Sequence, residues 1–288
     1  MNQAKGLRLL LISVLLFGGV WPISKHALMH DATPVWFATS RAGLAALASS
    51  LFLLAMGRFR LPARGDWPAI LSIATFQLAG FFLASHIALP MVGAARTAVL
   101  GNVTLMWLVP MSMLVLGEKV SPRRWVAVGL AALGVFVMLN PWTMDTSAPG
   151  MLAGHLWLLA ASLSWSFAIL MTRRFPPVSP MMRLLPFCFA LAGSMLLLAA
   201  TIREPQGGIG SGALWHAAFV GLIAAPVGTW AVIESGRLLN AVTASVGFLL
   251  VPVLGLGLSA FWLHEPMGWD LMLGGALIVA SVVVAAKG

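Results

Sequence analysis

Apolar stretches about twenty residues long, separated by short polar links, recur along the whole chain. Ten can be placed, at approximately 7–29, 33–56, 67–89, 95–117, 123–140, 151–172, 180–201, 213–235, 242–263 and 268–286. A bilayer's hydrocarbon core takes about 20 helical residues per crossing, so each run predicts one transmembrane helix. The longest links, 140–150 and 203–212, are rich in Pro, Gly and small polar residues and hold no soluble domain. The expectation is an all-α membrane protein in which 1–288 form a single integral membrane domain. Lys5 and Arg8 precede an apolar run that continues through Trp21 and Pro22 to about Met29 without an A-x-A cleavage site, which predicts a retained first helix.

The pattern then repeats. Residues Ala84 to Glu118 and Ala231 to Glu265 share a layout: a helix end, a short link, small residues, an apolar run and one Glu at the helix exit. At a spacing of 147 residues, Ala84/Ala231, Ala94/Ala241, Val99/Val246, Ser112/Ser259, Leu116/Leu263 and Glu118/Glu265 coincide without a gap. Phe17 with Trp165 and Lys25 with Arg173 fit the same plan. With a boundary in the 140–150 link, repeat 1 covers about 1–140 and repeat 2 about 150–288, five helices each. Five crossings are odd, so the halves enter the membrane with opposite polarity: two inverted-topology five-helix repeats.

Composition sharpens this picture. Of 288 residues, 60% are hydrophobic and 9% charged, with a mean hydropathy of +0.96; soluble domains carry roughly 25% charged residues. The formal charge is +9, but Lys and Arg cluster between apolar runs, a pattern of membrane topology and not of a nucleic-acid groove. One set of links holds Lys5, Arg8, Arg58, Arg60, Arg64, Lys119, Arg123, Arg124, Arg173, Arg174, Arg183, Arg237 and Lys287; the other holds Lys25, Arg96 and Arg203. Thirteen against three predicts that both termini are cytoplasmic, in a multi-pass protein of the cytoplasmic (inner) membrane. Cys188 is the one cysteine, so no internal disulfide or cysteine metal cluster is expected.

In order along the chain, several segments resemble the drug/metabolite transporter superfamily in its ten-helix EamA branch. They are FGGVWPISKHAL in helix 1, Pro34 and Ala38-Thr39-Ser40-Arg41 in helix 2, ALPMVGAARTAVL, LGEKVSPRRWVAVGLAALGV, SWSFAILMTRR and LLVPVLGLGLSAFWLHEPMGWDLMLGGALIV. Within the branch the chain is most similar to the YddG-type exporters of aromatic and other neutral amino acids. Phe17 stands where the family often has Trp, with Trp165 at the twin position. The family's proline in the fourth helix of a repeat is matched by Pro252, while its first-half twin is Leu105, followed by Pro110. The resemblance implies a carrier that exports small amino acids or similar metabolites by alternating access.

Counting inward from helix ends places Phe17, Gly18, Gly19 and Trp21 of helix 1, Gln77 of helix 3 and Asn102 of helix 4 near mid-membrane. Ser162, Ser164, Trp165, Pro226, Trp230, Phe248 and Pro252 fall at similar depth in the second half. Polar groups there are costly unless they face protein or a watered cavity. An aromatic-walled cavity with a few amides and hydroxyls suits a small zwitterion. The candidate substrate-binding set is Phe17, Trp21, Gln77, His86, Asn102, Trp107, Trp165, Trp230 and Phe248. The candidate hinge and packing set is Gly18, Gly19, Pro110, Pro226 and Pro252. His86 is nine residues from Gln77, on the opposite face of a straight helix, so both line one cavity only if helix 3 bends. Arg41, inside helix 2, has no evident acidic partner and is read as structural, bonding helix-end carbonyls.

Other classes fit less well. A proton antiporter for drugs or metabolites, of the kind found among four-helix members of the same superfamily, uses a membrane-embedded Glu in helix 1, which this chain lacks. An intramembrane enzyme needs a catalytic constellation at one depth, and no H-E-x-x-H, G-x-S-x-G or paired-Asp motif occurs. No catalytic residue, metal ligand or cofactor is expected. The expected partners are a small-molecule substrate and the lipid bilayer.

Overall fold

The computed structural model describes residues 2–140, 150–239, 243, 247, 248 and 250–286. Trp142, Asp145 and Lys287, and most of the link at the expected repeat boundary, lie outside these. Among the described residues the secondary structure is helical, apart from one isolated bridge between Ala32 and Ile209. Helix α1 is Asn2–Leu28 and α2 is Pro34–Ala55. A 3₁₀ turn, Arg64–Asp66, leads into α3, Trp67–Ser72, then a π-helical segment, Ile73–Gly80, then α4, Phe81–Leu100. Next come α5, Thr104–Leu116, α6, Pro122–Leu139, α7, Met151–Arg174, and α8, Met181–Arg203. A second 3₁₀ turn, Ser211–Ala213, opens α9, Leu214–Ala218, a second π-helical segment, Phe219–Ala224, and α10, Ala225–Leu238. Helix α11, Leu250–Leu263, and α12, Trp269–Ala286, complete the described chain.

Among the described residues, eight helical stretches are long and apolar enough to cross a membrane; α5 and α11 are shorter apolar helices. The expected fourth run, 95–117, is therefore not one continuous helix. It starts within α4 after Gly93, breaks at Gly101–Val103 and resumes at Thr104. Gly93 has φ 85°, a left-handed value that favours glycine. Hydroxyls inside the spans bond back to their own helix, as the dry surroundings require: Ser13 to Leu10 O at 2.8 Å and Ser24 to Val20 O at 2.7 Å.

The two halves show the same plan. Starts at Pro34, Arg64, Trp67 and Pro122 recur 147 residues later at Met181, Ser211, Leu214 and Trp269. Contacts between halves also exchange: α1 packs on α10 and α11, while α7 packs on α4 and α5; α2 pairs with α8, and α6 with α12. Small residues let backbones meet at these crossings. A Cβ on Gly18 would lie 2.8 Å from Leu254, and one on Gly255 would lie 2.9 Å from Ala98 and 3.2 Å from the Gly18 carbonyl. Gly18 is thus a packing residue at the α1–α11 crossing.

The bundle has two ends, named here for Lys5 and Lys25. At the Lys25 end, Glu265 accepts the amides of Ala94 at 2.7 Å and Ala95 at 2.8 Å, just past the Gly93 kink. Arg96 pairs with Asp270 and bonds Met138 O. Glu204 accepts the amides of Val35 and Trp36 at the start of α2. At the Lys5 end, Asp66 accepts the amides of Val178 and Ser179, each at 2.8 Å. Glu118, the twin of Glu265, makes only a solvent-exposed pair with Arg173 at 3.3 Å, a geometry that contributes little.

Candidate functional site

An apolar span tolerates an arginine only if its charge is compensated. Arg41 is 5% exposed, and neither its Nε nor its Nη1 has a hydrogen-bond partner. This corrects the expectation that it bonds helix-end carbonyls. The guanidinium carbon lies 4.0 Å from the centroid of the Phe82 ring and 5.9 Å from that of Trp21. These cation–π contacts satisfy part of its charge and none of its hydrogen bonding.

His86 is fully buried against the same two rings, 5.7 Å from Trp21 and 6.2 Å from Phe82, with Phe37 at 6.0 Å. It is not a hydrated helix-end residue. Its Nδ1–H donates to Phe82 O, one turn back, at 2.7 Å. That bond fixes the tautomer, so in the neutral ring Nε2 is a bare acceptor, and it has no partner. The wall continues from Trp21 to Phe81 at 6.0 Å and from Phe81 to Trp165 at 4.7 Å. Trp21 and Arg41 are each seven residues from the helix end at the Lys25 side. At 1.5 Å per residue this buried cluster lies roughly 10 Å inside that end.

The π-helical segment of helix 3 immediately precedes Phe81, Phe82 and His86. Its wider turn changes the rotational phase between Gln77 and His86. Ser164 of α7 donates to the Phe76 carbonyl inside it at 2.7 Å. A Cβ on Gly80 would meet the Ser164 hydroxyl at 2.5 Å, so the two helices touch there. Gln77 itself is half-buried and makes no hydrogen bond among the described residues.

The remaining candidates fall elsewhere. Asn102 Nδ2 donates to Ala98 O at 2.7 Å and closes the end of α4 at the break. Trp107 Nε1 donates to the Ser162 hydroxyl at 2.9 Å and ties α5 to α7. Phe17 stacks edge-on to Phe248 at 6.1 Å and covers Gly228. Trp230 is 38% exposed. With Pro226 it lines a cleft of about 370 Å³ between α2, α8 and α10, beside Phe52 and Leu185. The structure therefore brings Trp21, His86 and Trp165 together with Arg41, and leaves Trp230 and the Phe17–Phe248 pair outside that group. A second apolar cleft, about 510 Å³, lies along Leu7, Leu10 and Val14. Both clefts open in the half of the bundle toward the Lys5 end. Of the hinge candidates, Pro110 lies within α5 and Pro252 within α11. Gly19 is buried with only Ile23 near its open side.

Sequence reasoning did not foresee that Arg41 would share one buried cluster with Phe37, Phe81, Phe82 and His86. The available signal was a lone Arg in a span with no acidic residue at matching depth.

Comparison with known proteins agrees with this architecture. A sequence model described as the EamA-like transporter family matches residues 4–140 and again 152–286. An uncharacterized transporter of Clostridium kluyveri is 23% identical over 195 residues, 66% of this chain and 63% of that protein. The chain thus spans somewhat under two thirds of that relative. The uncharacterized transporter YdeK of Bacillus subtilis is 26% identical over 286 residues, 96% of this chain and 95% of its own. A solved crystal structure superposes with a TM-score of 0.65 at 19% identity, covering 99% of this chain and 96% of that one. This last likeness shows the fold.

Proposed function

The chain belongs to the EamA-like transporter family of the drug/metabolite transporter superfamily, and from that premise we propose that it exports small neutral or aromatic amino acids, or metabolites of like size and charge, by alternating access. The observation that carries this reading is the buried cluster in which Arg41 and His86 keep unpartnered polar atoms. A neutral amino acid offers a carboxylate to the two unpartnered Arg41 donors and an ammonium to the bare His86 Nε2. The Trp21, Phe81 and Trp165 rings receive an apolar or aromatic side chain. A charged partner adds about 1.5–3 kcal/mol per hydrogen bond in such a site.

The route follows from the two ends. The bias of Lys and Arg supports placing the Lys5 end in the cytoplasm and the Lys25 end outside the cytoplasmic membrane. The carboxylate ties at the Lys25 end and the clefts toward the Lys5 end then describe an inward-facing conformer. The two halves, about 1–140 and 150–288, insert with opposite polarity and rock about this cluster. Gly18, Gly19, Pro110, Pro226 and Pro252 serve as packing points and hinges.

Among the described residues, Asp31, Asp66, Glu118, Glu204, Glu234, Glu265 and Asp270 all lie at or within about a turn of helix ends. With no carboxylate at depth to carry protons, transport is facilitated diffusion down the substrate gradient. Counterflow and net flux in proteoliposomes, over a panel of amino acids with and without a pH gradient, test the proposal. Saturable exchange of neutral or aromatic amino acids is expected. Flux of amines alone, or uncoupler-sensitive accumulation, contradicts it. Impermeant thiol labelling of Ser147→Cys on intact cells checks the orientation; labelling only after lysis overturns it.

A further inference from the structure

We propose that His26, His30 and His216 form a binding site for a transition-metal ion of the zinc type at the Lys25 end of the bundle. His26 is in the last turn of α1, His30 follows it by four residues, and His216 comes from α9 in the other half. One ring nitrogen from each lies within 4.8 Å of the others. His26 Nδ1 faces His216 Nε2 at 2.6 Å. His30 Nδ1–H donates to the His26 carbonyl at 2.9 Å, which leaves its Nε2 lone pair free. A hydrogen bond from the second nitrogen to a carbonyl is the usual outer-shell support of a metal-bound imidazole.

The rings are also held in direction. Trp262 stacks on His26 at 5.0 Å and Trp215 on His216 at 3.7 Å. A tetrahedral zinc with bonds of about 2.0–2.1 Å sets its ligand nitrogens roughly 3.3 Å apart. The nitrogens here span 2.6 to 4.8 Å, so side-chain rotations of about an ångström reach that geometry. His30 is exposed, His26 half-buried and His216 buried, so an ion reaches the site from water and ends among fixed ligands. Three imidazoles leave one position for water.

Such an ion cross-links the first helix of one half to the third of the other. On the carrier reading above, it holds the Lys25 end shut and inhibits flux; binding itself does not depend on that reading. The test is calorimetric titration of Zn²⁺ into tag-free, chelator-treated full-length protein in detergent. The proposal expects one ion per chain, with binding weaker by on the order of tenfold or more in His26→Gln, His30→Ala and His216→Gln. Binding should weaken as the pH is lowered, because protons compete with the metal for the imidazole lone pairs. Replacing His30, an exposed residue, leaves the fold intact. No saturable binding, or unchanged affinity in His30→Ala, overturns the site. Zinc that binds as expected yet leaves flux unchanged overturns the clamp and retains the site.

Discussion

The two halves share their helix boundaries but not their chemistry. Arg41 of the first half corresponds by spacing to Cys188 of the second, and His86 to Ile233. Cys188 is buried in the same aromatic core that Arg41 borders. Duplication supplied one scaffold twice, and a single copy bears a cation and an acceptor. On the proposed carrier reading, a symmetric scaffold would let the halves exchange conformations about a common centre, and the asymmetric Arg41–His86 cluster would give the substrate one binding orientation. The carboxylate ties differ in the same way. Glu265 grips the helix start at Ala94 and Ala95, while its twin Glu118 rests in solvent beside Arg173.

The largest effect expected is at Arg41. Arg41→Met should lower substrate flux by roughly 10- to 150-fold, the equivalent of about 1.5–3 kcal/mol. The same change should leave the melting temperature unchanged or raise it, because a buried guanidinium without hydrogen-bond partners is exchanged for an apolar side chain of similar length. Proteoliposome flux and thermal unfolding in detergent measure the two. Cys188→Met in the other half should alter flux far less. Equal losses at both positions would mean that the cluster is packing and not a binding site.

Glu265→Gln should come next. Removing the charge from the helix start at Ala94 costs on the order of 1 kcal/mol, about a fivefold shift toward opening at the Lys25 end. Thiol accessibility of Thr97→Cys in a Cys188→Ser background reads this shift. Glu118→Gln should give a smaller change. A larger response from Glu118 would invert the assignment of the tied end.

The smallest contrast is between two tryptophans expected at similar depth. Trp165→Ala, stripping a half-buried ring from the edge of the cluster, should reduce flux about fivefold, near 1 kcal/mol. Trp230→Ala, in the exposed cleft, should change it less than about twofold, as a surface substitution does. Both are read as flux at matched expression.

These pairs also separate what the sequence disclosed from what it did not. Helix number and the 147-residue spacing were legible because a bilayer imposes length and hydropathy on every crossing. Depth was legible by counting, which placed Trp21 and Trp165 well inside their spans. Facing direction was not. Trp230 and Trp165 lie at similar depth, yet only the second meets Phe81, since facing depends on which helices are neighbours. The break at Gly101–Val103 was hidden inside a run that stays apolar, and the π segments have no sequence period of their own. That Arg41 finds no backbone carbonyl was not legible, because it is a property of the assembled bundle. The histidine cluster unites residues 190 positions apart, beyond any local pattern.

The central claim is that Arg41 binds a substrate carboxylate in the half that carries the cation. The direct measurement is equilibrium binding of phenylalanine and of phenethylamine, its decarboxylated counterpart, to purified wild-type and Arg41→Gln protein. The account predicts saturable phenylalanine binding to wild type, weakened roughly 10-fold or more in the variant, and no matching loss for the amine. Amine binding as tight as the amino acid, or phenylalanine affinity unchanged in Arg41→Gln, would contradict it.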